Sequence, residues 1–386
     1  MDTGIAAFGS SNLALVPTFL LTAFIGLLSA YGFSLIGRVC AYTQATSYRG
    51  AWEKAVSPKT GWIPAAACFL VTSGSVLAYS MILSDTIPQL ILSFTGNVVT
   101  RTQTLISLTT FVLLPLCLMK NLKSLGPFSL VGIMGMLYTA SAMATRFFDG
   151  SYQSGGRFYQ TLEPQFLPSF SESQGIAELI VNPNIFLLIS MLSTAFMAHY
   201  NAPKFYWELE NNTLARYQLV VAVSFTVALV LFAAVSSFGF ATFGKACAGL
   251  VLNNYSTDDP LMSLSRVAVA LSLLFSYPSA FVGVRDGFLD LLGVKDRGDR
   301  LLNSVTVILL TMIAAMAYVV RDLGKVLAFA GATWGNAVIY LLPSFMFINC
   351  AKKSMPELRK EVPQVVATGV LGLAMGVIGT IRAINK

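Results

Sequence analysis

Long apolar runs separated by short polar stretches occupy most of the chain, and this pattern predicts helices that cross a membrane. A helix needs about 20 mostly apolar residues to span a bilayer, and no charged residue occurs from 102 to 119, from 301 to 320 or from 326 to 351. Such runs are too long for core strands, and an open sheet would leave backbone groups unpaired in hydrocarbon. The predicted spans are 13–37, 62–84, 102–119, 125–147, 184–203, 216–243, 261–284, 301–320, 325–349 and 362–382.

Basic residues are distributed unequally between alternate loops. One set of loops holds 16 of the 25 Lys and Arg residues, the other set holds eight, and Arg266 lies just inside a span. Because cytosolic loops are enriched in Lys and Arg, we expect the richer loops in the cytosol and the C-terminus on the outer or lumenal side. Residues 1–386 then form a single transmembrane domain, in which 148–183 are a long lumenal or extracellular loop.

The predicted orientation gives an interpretation of two sequons and two charged residues. Asn254 begins a sequon in a lumenal loop and is a candidate glycosylation site, whereas the sequon at Asn211 lies in a cytosolic loop and should stay unmodified. Asp85, near the outer end of a span, is interpreted as an interfacial cap. Arg266 is expected either to snorkel toward the interface or to face a vestibule.

Composition supports the membrane class and excludes others. Hydrophobic residues make up 55% of the chain, charged residues 11%, and the mean hydropathy is +0.69, whereas soluble domains carry about 25% charged residues. The net charge of +7 does not indicate nucleic acid, because the basic residues lie in short loops between apolar runs. The five cysteines show no CxxC pair or metal-ligand spacing, so no disulfide framework is implied. We expect the lipid bilayer as a partner and no cofactor beyond a coupling ion.

The single histidine, His199, stands in the stretch AFMAHYNAPKFYWELEN, which covers 195–211. Pro203 disfavours helix at the preceding residue, and Asn201 can bond backbone groups itself. A helix that stops within a membrane needs a protein or water cavity for its freed backbone groups, and transporters place such breaks at their substrate sites. The alternative interpretation is an interfacial histidine that ends a helix; a histidine beside a break could instead sense or carry protons.

This stretch resembles the sixth span of the amino acid/auxin permease superfamily, nearest the sodium-coupled neutral amino acid transporters and the vacuolar amino acid transporters. Ala198 stands where those families carry cysteine before the histidine. Further similar motifs occur in order along nearly the whole chain: TSY at 46–48 with WEKAV at 52–56, YSMILSDTIP at 79–88, FSYP at 275–278 with VRDG at 284–287, and GATWGNAVIYLLP at 331–343.

The resemblance implies an all-α polytopic membrane protein with a LeuT-like arrangement, two inverted five-span repeats plus a final helix. Ten full spans are expected in 13–382, and 1–12 resemble only the second half of the family's first span. The family's Gly-rich break in that span contacts the substrate and sodium, and Gly4 is the nearest candidate ion-binding residue here. We expect the gene to start upstream of Met1; the alternative is a chain that lacks half of its site.

The resemblance also assigns site residues. Ser276 matches the hydroxyl of the eighth span that binds sodium in family members, and a serine oxygen suits a hard cation; a helix serine bonded to its own turn is the alternative. Thr194, Phe196, His199 and Asn201 are the expected substrate-binding residues.

These features predict a secondary active transporter of amino acids, small and neutral, that is coupled to sodium or protons and works by alternating access as a monomer. The membrane is vacuolar, lysosomal or plasma membrane. The alternative is a non-transporting amino-acid sensor or an inactive truncated paralogue. An enzyme is not expected, because the chain has one histidine, no HExxH motif and no paired intramembrane aspartates.

Overall fold

The computed structural model describes residues 15–119, 128–170, 185–294, 296–353 and 356–385. Within these ranges the chain is helical apart from its connecting loops and one isolated bridge between Ser169 and Gly244. Nine helices there are long and apolar enough to cross a membrane, and the helix Phe128–Phe148 occupies the remaining predicted segment, 125–147. The all-helical, multi-span class predicted from the sequence is confirmed.

We number the helices α1 to α12 in chain order. They are α1 (Leu15–Thr43), α2 (Tyr48–Ala55), α3 (Trp62–Thr95), α4 (Arg101–Leu118), α5 (Phe128–Phe148), α6 (Ile185–Ala195), α7 (Ala202–Glu208), α8 (Leu214–Phe243), α9 (Pro260–Leu291), α10 (Asp299–Val319), α11 (Leu323–Lys353) and α12 (Val362–Ile384). α4 contains one π-helical stretch, Thr109–Leu113, and α11 contains two, Gly331–Gly335 and Ala337–Leu341. Such stretches are rare and occur frequently at functional sites.

The ends of the helices follow local capping more than the ends of the apolar runs. α9 begins after Asp259, whose carboxylate accepts a hydrogen bond from the Leu261 N–H, with Pro260 in the first turn. α3 ends at Gly96, which adopts φ 70°. The predicted end of this span at residue 84 was wrong, because Asp85 is paired across the helices and the chain remains helical through it.

Two large buried clusters each bring together a group of helices. One cluster is formed mainly by α3, α4, α9 and α10, with Leu323 of α11 joining it. The other is formed mainly by α1, α2, α7, α8, α11 and α12, with the inner end of α3 joining it. α9 approaches α3 closely, since a Cβ at Gly283 would lie 2.9 Å from the Thr72 side chain.

The loop after α5 packs against the protein rather than extending into solvent. In its described part, 149–170, Tyr152 is buried, and Ser169 pairs with Gly244 at the end of α8. The rest of the predicted loop 148–183 lies outside the described residues. So do the remnant 1–12 of the first span and the candidate ion-binding residue Gly4.

Candidate substrate site at a broken helix

The span Ile185–Glu208 is interrupted in its middle. α6 ends at Ala195, and the segment His199–Asn201 forms a single 3₁₀ turn before α7 begins. Pro203 lies in the first turn of α7, where its missing N–H leaves no helical hydrogen bond unmade. The predicted break is therefore present, but the span continues to residue 208 and does not end at 203.

His199 is fully buried within this break. Its Nε2 lies 2.8 Å from the backbone carbonyl oxygen of Ser29 on α1. Because a carbonyl only accepts, Nε2 carries the proton and donates it. The ring also contacts Phe33 and Phe225, with centroids 5.4 and 6.3 Å away. Nδ1 has no hydrogen-bond partner among the described residues. The ring is therefore enclosed by protein and not exposed at the end of a helix.

Small residues on α1 allow α11 to reach the break. A Cβ at Gly32 would overlap the backbone oxygen of Ile339 and would lie 3.4 Å from Nε2 of His199. One turn away, the Ser29 hydroxyl is 3.1 Å from the Tyr340 hydroxyl, and Tyr340 is 3.4 Å from the hydroxyl of Ser193 on α6. Hydroxyl groups thus join α1, α6 and α11 immediately beside the histidine.

Thr194 and Phe196 border the break on its α6 side. The Thr194 hydroxyl donates to the backbone oxygen of Leu327, 2.7 Å away, and so connects α6 to α11. Phe196 is 4% exposed and stacks on Phe225 at a centroid distance of 6.0 Å. Phe225 thus lies against the rings of both Phe196 and His199, whereas Thr194 faces α11. Substrate binding by Thr194 and Phe196 stays a prediction.

Asn201 and Ser276 differ in position. Asn201 is half-buried at the end of the 3₁₀ turn, and its side chain interacts with the hydroxyl of the adjacent Tyr200. Ser276 lies on α9, in the other helix group, and its side chain is exposed, although the next residue, Tyr277, is buried and bonds Ser80 at 2.8 Å. The structure does not bring Ser276 to the break, and its role in ion binding stays a prediction.

The sequence did not single out every residue of this site. Ser29, Gly32 and Ser193 are small residues inside apolar runs, where nothing distinguishes them from ordinary packing positions. Tyr340 lies in the motif GATWGNAVIYLLP, but no spacing indicated which of its residues would reach α1. The signal that could have indicated them is the recurrence of small polar residues along one face of an apolar span.

Asp85 is part of an ion pair and not an isolated cap. Its Oδ1 lies 2.6 Å from Nε of Arg101, at the start of α4. Arg101 also donates to the backbone oxygen of Ala317 on α10, 3.0 Å away. The pair therefore joins the outer ends of α3, α4 and α10.

Arg266 neither snorkels nor faces a vestibule, so both predictions for it were wrong. The side chain is fully buried and donates to three backbone carbonyl oxygens of the preceding loop, those of Leu252, Tyr255 and Ser256. Because this loop turns back over α9, its carbonyls reach the guanidinium and replace the water that a charged side chain otherwise requires.

A second buried charge lies about two helical turns before Arg266. Asp259 is fully buried and accepts two hydrogen bonds from Arg146 on α5, at 2.7 and 2.8 Å. The Tyr152 hydroxyl donates to the same carboxylate at 2.9 Å. We call Arg146, Tyr152, Asp259 and Arg266 the outer network.

Asn254, the predicted glycosylation site, is fully buried beside the outer network. Its Nδ2 donates to the backbone oxygen of Ala246 and its Oδ1 accepts from the N–H of Ala248, both at 2.7 Å. A sugar on Nδ2 has no room in this fold, so the structure contradicts the prediction. The sequon pattern carries no information on burial.

Comparison with known proteins places the chain in a family. A sequence model described as "Transmembrane amino acid transporter protein" matches residues 7–383. The chain belongs to this family, which comprises transporters and not enzymes, and the resemblance inferred from its motifs is confirmed.

Two relatives illustrate the family. "Vacuolar amino acid transporter 2" of Saccharomyces cerevisiae is 22% identical over 330 residues, which cover 81% of this chain and 66% of the yeast protein. "Putative sodium-coupled neutral amino acid transporter 11" of Danio rerio is 22% identical over 383 residues, which cover 96% of this chain and 81% of the fish protein. The chain thus spans slightly less than two thirds of the length of the yeast relative.

One similar solved structure is described as the substrate-bound outward-open state of a Na⁺-coupled sialic acid symporter. It is 14% identical to this chain, covers 100% of it and 89% of the symporter chain, and gives a TM-score of 0.46. This is a weak likeness, and no conclusion rests on it.

Proposed function

We propose that this protein is a secondary active transporter of small neutral amino acids, which bind at the break between α6 and α7. The observation that carries the proposal is the interrupted helix at membrane depth, packed against α1 and α11 through His199, Thr194 and Tyr340. Irregular backbone within a membrane is tolerated where it lines a cavity or a site. The family of the chain and the names of its relatives support amino acids as the substrate class.

The chemistry of the break suits a zwitterion. The groups identified there are an imidazole with one unpartnered nitrogen, hydroxyls and aromatic rings. The C-terminal end of α6 carries partial negative charge, which favours the ammonium group of an amino acid. Phe196 and Phe225 offer apolar contact to a side chain, and a bulky or charged side chain would have to displace them.

Movement would occur between the two helix groups. The helices α3, α4, α9 and α10 share one buried cluster, whereas Met197 and Tyr200 of the broken segment pack against the other. In alternating access, one such unit rocks against the other around the bound substrate. Sodium or a proton would supply the driving force, and we propose a monomer as the working unit.

The test is uptake of labelled neutral amino acids by proteoliposomes that contain the 386-residue chain. Each preparation is run with an inward sodium gradient, an inward proton gradient or neither. Uptake that depends on one gradient supports the proposal and identifies the coupling ion. Saturable binding without uptake in any arm favours the amino-acid sensor instead, and the absence of both binding and uptake contradicts a substrate site at the break.

A further inference from the structure

A groove of about 360 Å³ lies between α11 and α12, and no residue of the broken segment lines it. Leu341, Leu373, Val377 and Ile381 contribute apolar walls, and the last three are about half exposed. Exposed apolar side chains on a membrane-spanning helix face lipid, so the groove opens to the bilayer. A molecule dissolved in the bilayer can therefore enter it without passing through water.

The side chain of Asn336 lies at the floor of this groove and is 1% exposed. Neither its Nδ2 nor its Oδ1 has a hydrogen-bond partner among the described residues. Across the groove, a Cβ at Gly376 would lie 3.3 Å from Nδ2, so only a glycine leaves this space open. A buried amide with both polar atoms unpaired is costly, and such groups in native structures call for an explanation.

The position of Asn336 excludes an ordinary interfacial role. It stands between the two π-helical stretches of α11, near the middle of that span. Gly376 precedes the last residue of α12, Ile384, by eight residues, which is about 12 Å at the rise of an α-helix. Water is scarce at this depth, so the partner of the amide must come from the protein or from the bilayer.

The amide restricts the chemistry of that partner. Its donor and its acceptor lie side by side in one plane, and an amide of this kind pairs best with a group that offers an acceptor and a donor at the same spacing. A protonated carboxylic acid or a carboxamide has this arrangement, whereas an ester can only accept. The terminal torsion of asparagine is soft, so a rotation about it can bring both atoms to the groove.

We propose that the groove binds a medium-chain carboxylic acid from the bilayer in its neutral form, with its head paired to Asn336 and its tail along Leu373, Val377 and Ile381. The acid stays protonated because an unpaired carboxylate is strongly disfavoured in a medium of low polarity. Gly335, next to Asn336 on α11, approaches Met197 of the broken segment, so occupancy can influence the break through α11.

The experiment measures binding of radiolabelled decanoic acid to the full chain in lipid nanodiscs. Unlabelled decanoic acid, decanamide and methyl decanoate compete for the site. We expect the acid and the amide to compete, and the ester to be about tenfold weaker or worse because it cannot donate to Oδ1. Competition by the ester equal to that of the acid, or no saturable binding at all, would overturn the proposal.

Two variants distinguish binding at this site from nonspecific partitioning of decanoic acid into the lipid. Asn336→Leu should abolish saturable binding while its unfolding temperature stays at or above that of the original chain, because an unpaired buried amide is removed. Asn349→Leu is the matched control: it lies on the same helix, and its amide donates to the Phe345 carbonyl at 2.8 Å. Binding retained by Asn336→Leu, or lost equally in both variants, would overturn the proposal. The readout is independent of transport and of the proposed function.

Discussion

The break and the outer network accommodate buried polar groups in a membrane protein in different ways. In the outer network, the buried carboxylate of Asp259 accepts three hydrogen bonds from Arg146 and Tyr152. The buried Arg266 donates to backbone oxygens through its two terminal nitrogens, while its Nε has no partner among the described residues. At the break, the contacts of His199 are a single carbonyl and aromatic rings, and one ring nitrogen is left unpartnered.

The difference indicates that the two regions have different roles, one in stability and the other in substrate binding. A buried ion pair is costly to break, because removing one partner leaves an uncompensated charge. A change at the break costs less stability, because no buried charge loses its partner there. The unpartnered Nδ1 of His199 is also available to bind a ligand. Changes in the outer network should therefore reduce stability first, and changes at the break should reduce substrate binding first.

The largest effect is expected for Asp259→Ala. This change leaves the Arg146 guanidinium and the Tyr152 hydroxyl without their shared partner and removes the cap of α9, so we expect a loss of about 3–5 kcal/mol of stability. Thermal unfolding of the purified protein in detergent measures it. The control is Asp258→Ala, since the neighbouring Asp258 is exposed. Equal unfolding temperatures for the two variants would contradict a structural role of the network.

Gly32→Ala should have the next largest effect. The added methyl group would overlap the Ile339 oxygen, so α1 and α11 must separate, at a cost of about 1–3 kcal/mol. We expect a lower unfolding temperature together with loss of substrate binding. Gly74→Ala is the matched control, because a Cβ there would meet its nearest neighbour, Ala330, at 3.4 Å. Normal binding by Gly32→Ala would show that the close approach is not needed.

His199→Leu tests the break directly. The change removes the hydrogen bond to the Ser29 oxygen and the free Nδ1, so we expect substrate affinity to fall by about tenfold or more, as for a buried hydrogen bond to substrate. Its unfolding temperature should change less than that of Asp259→Ala. Equilibrium binding of a labelled neutral amino acid is the measurement. A large loss of stability with unchanged affinity would reverse the comparison.

The smallest effect is expected for Tyr340→Phe. Only the hydroxyl shared with Ser29 and Ser193 is lost, and a neutral hydrogen bond contributes about 0.5–1.5 kcal/mol. We expect a change in substrate affinity of several-fold with the ring packing intact. A drop in unfolding temperature without any change in affinity would make this hydroxyl a structural link alone.

Much of the fold follows from the sequence, because the length and polarity of each apolar run decide whether it can span a bilayer. The positions where prediction failed depend on contacts with another helix or loop, which the pattern within a single apolar run does not reveal. Asp85 was taken as a helix end, yet Arg101 pairs with it. Arg266 was expected near water, yet loop carbonyls enclose it.

The site, like the fold, was predictable only where the local sequence determines it. Pro203 and Asn201 indicated the break, since both act on the local backbone. The partners of His199 on α1 and α11 were not predictable, because Ser29 and Tyr340 are 170 and 141 residues away from it and no local pattern connects them.

Binding of a labelled neutral amino acid to the purified chain, its Thr194→Val variant and its Asp258→Ala control tests the central claim most directly. Thr194→Val keeps the shape of the side chain and removes the hydroxyl at the edge of the break. The account predicts saturable binding by the original chain and the control, and at least several-fold weaker binding by Thr194→Val at a similar unfolding temperature. Equal affinity in all three proteins would show that the amino acid binds elsewhere.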